Sequence, residues 1–322
     1  MEVRMLHAGM QATVQDLGRP GNRAAGVPRG GAMDTFALRV ANALVGNAEA
    51  AAALEFALVG PEMEFSDDTI IAVAGVELGS LSTWRPHFVR AGERLKLGTC
   101  MRGCWGYLAI AGGIDVERVL GSGSTYLRGG FGGVEGRALR AGDVLRIGAP
   151  AAGLKPLDEL HWQIDPRVLP RYGSPATVRV LPGAQAGEFD DALTGADFVV
   201  SPKSDRIGIR LNGPKLTRTT KADLLSTAVA PGTVQVPPDG QPVVLMADAG
   251  TIGGYPQVAH VIAVDQPVMA QLRPGDTVRF SAVTLDEAHR LAQTRERTLG
   301  MLHEGLAEKL GLRPAGAMRK TE

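Results

Sequence analysis

The chain has 322 residues, with 34 lysines and arginines against 34 aspartates and glutamates, and 44% of it is hydrophobic. That is length for about two domains and enough apolar residue for a core, while the even charge removes the electrostatic case for nucleic acid or an anionic membrane as main partner. No run of about 18 apolar residues occurs, and the segment from Met1 to Gln11 lacks the apolar stretch of a signal peptide, so a cytoplasmic chain with no membrane partner is expected.

Glycine is abundant, 42 residues in all, well above the usual share of about 7%. Only glycine takes positive φ without steric cost, so a glycine-rich soluble chain is one of many tight turns and short elements. The expected fold class is therefore mainly β with a few helices. A first domain is read at 1–150, a Pro/Gly-rich linker at 151–165, a second domain at 166–282, and a C-terminal helix and tail at 283–322.

Taken along the chain, the first polar segment is Thr13-Val-Gln-Asp-Leu-Gly-Arg-Pro-Gly21. It sets Gln15, Asp16 and Arg19 around an interrupted backbone. An arginine fork can grip a carboxylate or phosphate, and an aspartate can orient it; an internal Asp–Arg pair holding a turn fits equally. Gly26-Val-Pro-Arg-Gly-Gly-Ala-Met-Asp34 then leads into a helix that Asp34 can N-cap, running through Leu44 and ended by Gly46 and Asn47. Its N-terminus suits an anion unless Asp34 already fills it. Asn42, eight residues on, lies about 80° round the helix from Asp34. Glu55 is a carboxylate within an apolar run and needs a partner if buried.

Strands are expected at Thr69–Val76, Trp105–Ala111, Thr177–Leu181, Val243–Ala247 and Val258–Val264, all short and mostly β-branched. One pattern recurs at Ala91-Gly-Glu-Arg-Leu-Lys-Leu, Ala141-Gly-Asp-Val-Leu-Arg-Ile and Pro274-Gly-Asp-Thr-Val-Arg-Phe. Each reads as a hairpin-type turn feeding an alternating strand, and together they hint at related β units. Cys100 and Cys104 have no further ligands near them in sequence, so two ordinary thiols are read there and no metal site.

Between these strands, Gly121-Ser-Gly-Ser-Thr with Gly129–Gly133 places Ser122, Ser124 and Thr125 where hydroxyls and free amides can cradle a phosphate. Ser204-Asp-Arg-Ile-Gly repeats the Asp–Arg theme with Asp205 and Arg206. Gln235 projects from a strand, Asp248 closes one, and Gly253-Gly254-Tyr255-Pro256 can press backbone against a ligand with Tyr255 as cover. A turn or a barrel corner explains each of these segments as well. At the end, Thr284-Leu-Asp-Glu287 fits a capping box, Gly300 and Gly305 weaken the helix it starts, and a disordered tail is read from Arg313. No GxxxxGK P-loop, HExxH, GxSxG elbow or GxGxxG fingerprint occurs.

In order, TVQDLGRPG, GVPRGGAMD, ALRVANALVGN, LEFALVGPEMEF, YLAIAGGIDV, VLGSGSTY, GGVEGRALRAGDVL, SDRIGIRL, VQVPPDGQPVVLMAD, GGYP and QLRPGDTVRF resemble one family from about residue 3 to 282. It includes the C subunit of bacterial 5-oxoprolinase, allophanate hydrolase subunit 2 and the carboxyltransferase part of urea carboxylase. The resemblance implies tandem cyclophilin-like β-barrel units. It implies ATP-dependent opening of 5-oxo-L-proline to L-glutamate, in a complex where a B subunit binds this chain directly and an A subunit performs the hydrolysis. ATP would be shared with those partners, with Mg²⁺, and no biotin is attached to this chain because it has no Met-Lys-Met site. Arg19, Asp34, Asn42, Arg206, Gln235 and Tyr255 suit the catalytic task. Asp16, Ser122, Ser124, Thr125, Asp205, Asp248, Gly253 and Gly254 suit binding of the cofactor, with Asp16, Asp34, Asp205 and Asp248 able to orient those groups or hold Mg²⁺. Two other family activities compete: a carboxyltransferase for urea or another amide, and a non-enzymatic regulator of a kinase inhibitor. Gly123, Thr227 and Gly250 depart from the family pattern, where an arginine, an acidic residue and a glutamine are usual, which puts the substrate in question.

Overall fold

The computed structural model of the chain describes residues 1–153, 162–189, 192–220 and 224–312. Two antiparallel sheets build the first half. One holds six strands in the order Ile114–Asp115, Val144–Ile147, Glu2–His7, Val59–Phe65, Arg94–Arg102, Glu77–Leu78. The other holds five, in the order Gln11–Gln15, Ala53–Ala57, Trp105–Ile110, Thr69–Ala74, Pro86–Val89. Val3, Met5, Phe65 and Leu97 from the first meet Val14, Phe56, Ile71 and Leu108 from the second in one core.

The second half is a closed barrel: Ala176–Pro182, Gln257–Val261, Thr233–Gln235, Val243–Leu245, Gly208–Asn212, Asp197–Val200 and Thr277–Ala282, shut by parallel pairing of its first and last strands. The mainly β, barrel-based expectation holds, with the first half built as two packed sheets. Ala53–Ala57, Thr69–Ala74 and Trp105–Ile110 are buried at every position. Their second face packs on the helix Thr35–Leu44, and that core runs on without a break into the barrel. A strand covered on both sides reads as a continuous apolar run, which is why these segments lack alternation.

The threefold Gly-Asp/Glu pattern is a real structural unit, although not the hairpin expected of it. In each copy the glycine has positive φ, at +76°, +92° and +91° for Gly92, Gly142 and Gly275. The acid accepts from the amide three residues back: Glu93 from Arg90, Asp143 from Arg140, Asp276 from Arg273. The glycine amide donates to Phe65, Met5 or Val200, and that residue's own amide donates to the acid's carbonyl. The turn thus seats the following strand on a distant neighbour. The strands flanking the first copy, Pro86–Val89 and Arg94–Arg102, lie in different sheets, so the turn carries the chain between layers.

Both helical expectations hold. Asp34 caps the first helix by accepting from the Ala37 amide at 2.9 Å. Thr284 caps the terminal helix, Leu285–Lys309, by accepting from the Glu287 amide at 3.2 Å. Gly300 and Gly305 do not interrupt it, because tertiary contacts outweigh the propensity cost: Leu299 and Leu306 are buried, and Arg39 on the first helix grips Glu296 at 2.7 and 2.8 Å. Thr284→Ala is expected to cost about 1 kcal/mol, read as a lower denaturation midpoint with the helix still present by circular dichroism. Most of the expected linker, 154–161, and the tail from Arg313 lie outside the described residues. Among the described residues no helix is long and apolar enough to cross a membrane.

Candidate functional site

The seam between the five-stranded sheet and the barrel carries a buried charge network. Arg206 lies just before the strand Gly208–Asn212 and Asp248 just after Val243–Leu245. These strands pair with Gly208 opposite Leu245, and the Asp248 amide donates to the Arg206 carbonyl at 2.9 Å, so the ladder itself brings the two side chains together. Arg206 Nε and Nη2 donate to the two Asp248 oxygens at 2.8 and 3.0 Å, Nη2 also donates to the Gly31 carbonyl at 2.6 Å, and Nη1 donates to Glu55. Glu55 comes from the other half. Its second oxygen accepts from the Met33 amide at 2.9 Å and from the Tyr107 hydroxyl at 2.7 Å. Tyr107 lies directly opposite Glu55 in the sheet and accepts from the Asp34 amide at 2.7 Å.

Asp34 completes the network. Beyond its capping bond it accepts from Tyr172 at 2.7 Å and from Gln271 at 2.9 Å. Burial pushes Asp34 above the ordinary carboxylate range, opposed by those donors. Burial likewise pushes Glu55 up, opposed by the Arg206 charge. A buried acid with a raised folded-state pKa binds its proton more tightly when folded. Its contribution to stability is therefore full below pH about 4 and lost as pH rises through the raised value. Unfolding free energy measured from pH 4 upward should carry this falling component, and Asp34→Asn should remove part of it. An unchanged pH slope in the variant would show that Asp34 does not titrate there.

A cavity of about 400 Å³ opens on this seam, lined among others by Met33, Trp105, Asp205, Arg206 and Asp248. Cys104 lines it as well, but burial pushes that thiol up to about 12, and Cys100 to about 11, so neither is a ready nucleophile.

Behind Asp248 lies a second cluster. The strand Gln11–Gln15 delivers Asp16, whose Oδ1 accepts from Gly18 N, Ser122 Oγ and Ser124 Oγ at 2.7, 2.6 and 2.5 Å, and whose Oδ2 accepts from Gly123 N at 2.7 Å. The Thr125 hydroxyl donates to the Val14 carbonyl at 3.1 Å. All three hydroxyl residues are fully buried. Ser122 and Ser124, expected to cradle phosphate, thus face inward to hold Asp16, and Thr125 holds the Val14 carbonyl. A Cβ on Gly123 would stand 2.9 Å from Val116, so the arginine usual in the family has no room without a shift.

Arg19 is fully buried beside them. Its Nη2 donates to the Ser124 carbonyl, Nε to the Val119 carbonyl at 3.4 Å, and Phe131 covers the guanidinium at 5.0 Å. Among the described residues Nη1 has no hydrogen-bond partner. Burial lowers the pKa of Arg19, while the charges of Asp16 and Asp248 oppose that. Nη1 and Asp248 Oδ1 both lie close to Gly30. A Cβ on Gly30 would lie 3.1 Å from the first and 3.7 Å from the second, with nothing else beyond its chain neighbours within 4 Å. Gly30 has φ +61°, in the left-handed region that favours glycine.

The other expected residues lie elsewhere. Asn42 is buried, donates to the Ala51 carbonyl at 2.8 Å and accepts from Asn47 at 3.1 Å. It fixes the chain reversal after the first helix. Gln235 is buried, donates to the Tyr255 carbonyl at 3.2 Å, and shares a cavity of about 190 Å³ with Asp205 and Tyr255. Gly254 and the half-exposed Tyr255 edge a larger cavity of about 570 Å³ with Lys215. Gly253 leaves room for Gln235, whose Nε2 would be 2.5 Å from an added Cβ. Asp205 connects the seam cavity to the small one. Tyr107, Gln271 and Tyr172 were not singled out from sequence; a tyrosine inside the apolar run Trp105–Ala111 was the one available signal.

The carboxylates do not fit the Mg²⁺ role read for them. Asp16, Asp34 and Asp248 are already taken by donors, Asp205 holds a turn through the Ile207 and Gly208 amides, and among the described residues no three such groups gather.

A fold of this kind with its buried seam is that of a carboxyltransferase-domain protein. The family model described as carboxyltransferase domain, subdomain A and B, matches residues 25–282. The C subunit of 5-oxoprolinase from Escherichia coli (strain K12) is 42% identical over 305 residues, covering 92% of this chain and 96% of that protein. The protein of the same name from Haemophilus influenzae is 37% identical, covering 95% and 99%. The chain therefore belongs to the family of 5-oxoprolinase C subunits. The crystal structure of K. lactis urea amidolyase matches with a TM-score of 0.85 at 29% identity, over 92% of this chain and 20% of that far longer one.

Proposed function

We propose that the chain is the C subunit of a 5-oxoprolinase, acting with A and B subunits and ATP to open 5-oxo-L-proline to L-glutamate. Supporting this reading are the near full-length relatives of that name and, above all, the unpaired Nη1 of Arg19 and the Asp248 carboxylate, both beside the bare face of Gly30. A lactam ring holds its amide cis, so carbonyl oxygen and N–H lie on one edge. Arg19 donates to that oxygen and Asp248 accepts from the nitrogen. A buried guanidinium on the carbonyl draws electron density from the carbon and stabilises negative charge as it develops on oxygen. Arg206, held on three sides, fixes Asp248 in the pose that receives the N–H. Phe131 encloses Arg19, so the glycine-rich loop at 129–133 yields when substrate enters.

Ser122 and Ser124 are committed to Asp16 and Thr125 to the Val14 carbonyl, so the ATP chemistry is left to the assembled complex. The deciding assay is ATP-dependent glutamate release from 5-oxoproline by this chain, with and without its co-encoded A and B subunits. Activity in the full mixture alone is the expected result. No activity from a folded, assembled complex would overturn the assignment. Urea presents a similar amide edge, and the K. lactis urea carboxylase shares the fold, so carboxybiotin-dependent carboxylation of urea is the reading that would replace it.

A further inference from the structure

A third cavity, of about 400 Å³, lies apart from the seam and its substrate pair. Trp84, Tyr172, Arg102 and Arg171 line it, with Val76 and Leu169 as apolar wall. Trp84 has φ +63°, a strained conformation for a bulky residue that persists only where the surroundings enforce it. Its amide donates to the Val73 carbonyl at 2.8 Å, and its carbonyl accepts from the Ile164 amide at 3.2 Å. These bonds hold the half-buried indole near parallel to Tyr172, at 21° and 6.3 Å between centroids, with Phe36 beyond it at 6.4 Å. The rim carries charge. Arg102 reaches Glu77 at 3.4 Å, and Arg171 has no ion pair or hydrogen bond among the described residues.

From these features we infer that this cavity is a second ligand site, for a planar heteroaromatic ring carrying an anionic group, such as a nucleoside monophosphate. The ring lies against the Trp84 indole and the anion pairs with Arg171 at the mouth. An aromatic face suits any planar base, and an exposed guanidinium suits a phosphate. The site also reports to the seam. Tyr172 donates to Asp34, whose amide donates to Tyr107, which donates to Glu55, the partner of Arg206. A ligand that shifts Tyr172 therefore bears on the residues that hold Asp248.

The test is titration of the whole chain with AMP, followed by tryptophan fluorescence and by calorimetry, without partner subunits. It is thus independent of the oxoprolinase assay. Saturable binding is expected. Trp84→Leu should weaken it at least about fivefold and Arg171→Glu about tenfold, while Tyr172→Phe should bind within about twofold. Because Trp84 packs against the core, Arg171→Glu on the exposed rim keeps the test decisive if Trp84→Leu unfolds. No saturable heat or quenching would overturn the proposal, as would undiminished binding in Arg171→Glu. Inorganic phosphate binding as well as AMP would overturn the stacking half of it.

Discussion

Arg206→Ala is expected to destabilise the chain by about 3–5 kcal/mol, seen as a large fall in urea midpoint with an unchanged slope. The guanidinium is buried and serves Asp248, Glu55 and the Gly31 carbonyl together. Removing it leaves two buried carboxylates without their counter-charge. It also unpins the barrel from the five-stranded sheet, since Glu55 belongs to the sheet and Asp248 to the barrel. Glu55→Gln in the same chain should restore part of the loss, because a neutral amide needs no cation. That coupling separates the charge from simple volume. A loss below about 1 kcal/mol would mean that the pair behaves as a solvated surface bridge, against its burial. Arg206→Lys should be nearly as harmful, since an ammonium cannot span both carboxylates and a carbonyl in the fork geometry.

How much of this was legible follows from the kind of signal each residue sends. Caps are local, and Asp34 and Thr284 were readable because an acceptor just before an apolar periodic stretch has few other uses. The Gly-Asp turns were readable as a unit, but their partners are remote in the chain, Met5 for Gly142 and Val200 for Gly275, and no local pattern names them. That is why a turn between layers looked like a hairpin. Asp16 and Arg19 were chosen as a polar pair, yet the serines that saturate Asp16 sit more than a hundred residues away. Hydroxyls beside glycines suggest a phosphate loop until the acceptor they face is known. Glu55 was legible as a residue that needs a partner, but which cation reaches it depends on how the two halves meet. Tyr107 and Gln271 gave almost no signal, because each is one polar side chain in an apolar run whose role is fixed by what packs across from it.

Arg19→Met is the expected counterpart: a smaller loss of stability than Arg206→Ala and a large loss of turnover. Methionine keeps the buried stem and its contact with Phe131. The Ser124 and Val119 carbonyls lose a donor, at a cost of about 1–3 kcal/mol, while an unpaired buried N–H disappears and offsets some of it. Asp16 keeps all four of its own donors, so the turn should stay folded. Turnover of 5-oxoproline by the assembled complex should fall by about 100- to 1000-fold, the usual loss for one donor to a developing oxyanion. If Nη1 acts chiefly in the transition state, kcat and kcat/KM fall together; a rise in KM alone would make Arg19 a ground-state binder. Gly30→Ala tests the same space without touching the charge. Its Cβ would come within 3.1 Å of Nη1 and 3.7 Å of Asp248 Oδ1, where the substrate amide is placed, so activity should fall while Arg19 and Asp248 remain. Full activity in Gly30→Ala with loss in Arg19→Met would move the substrate off Gly30, and full activity in both would leave Arg19 as a support for the 119–125 turn and nothing more.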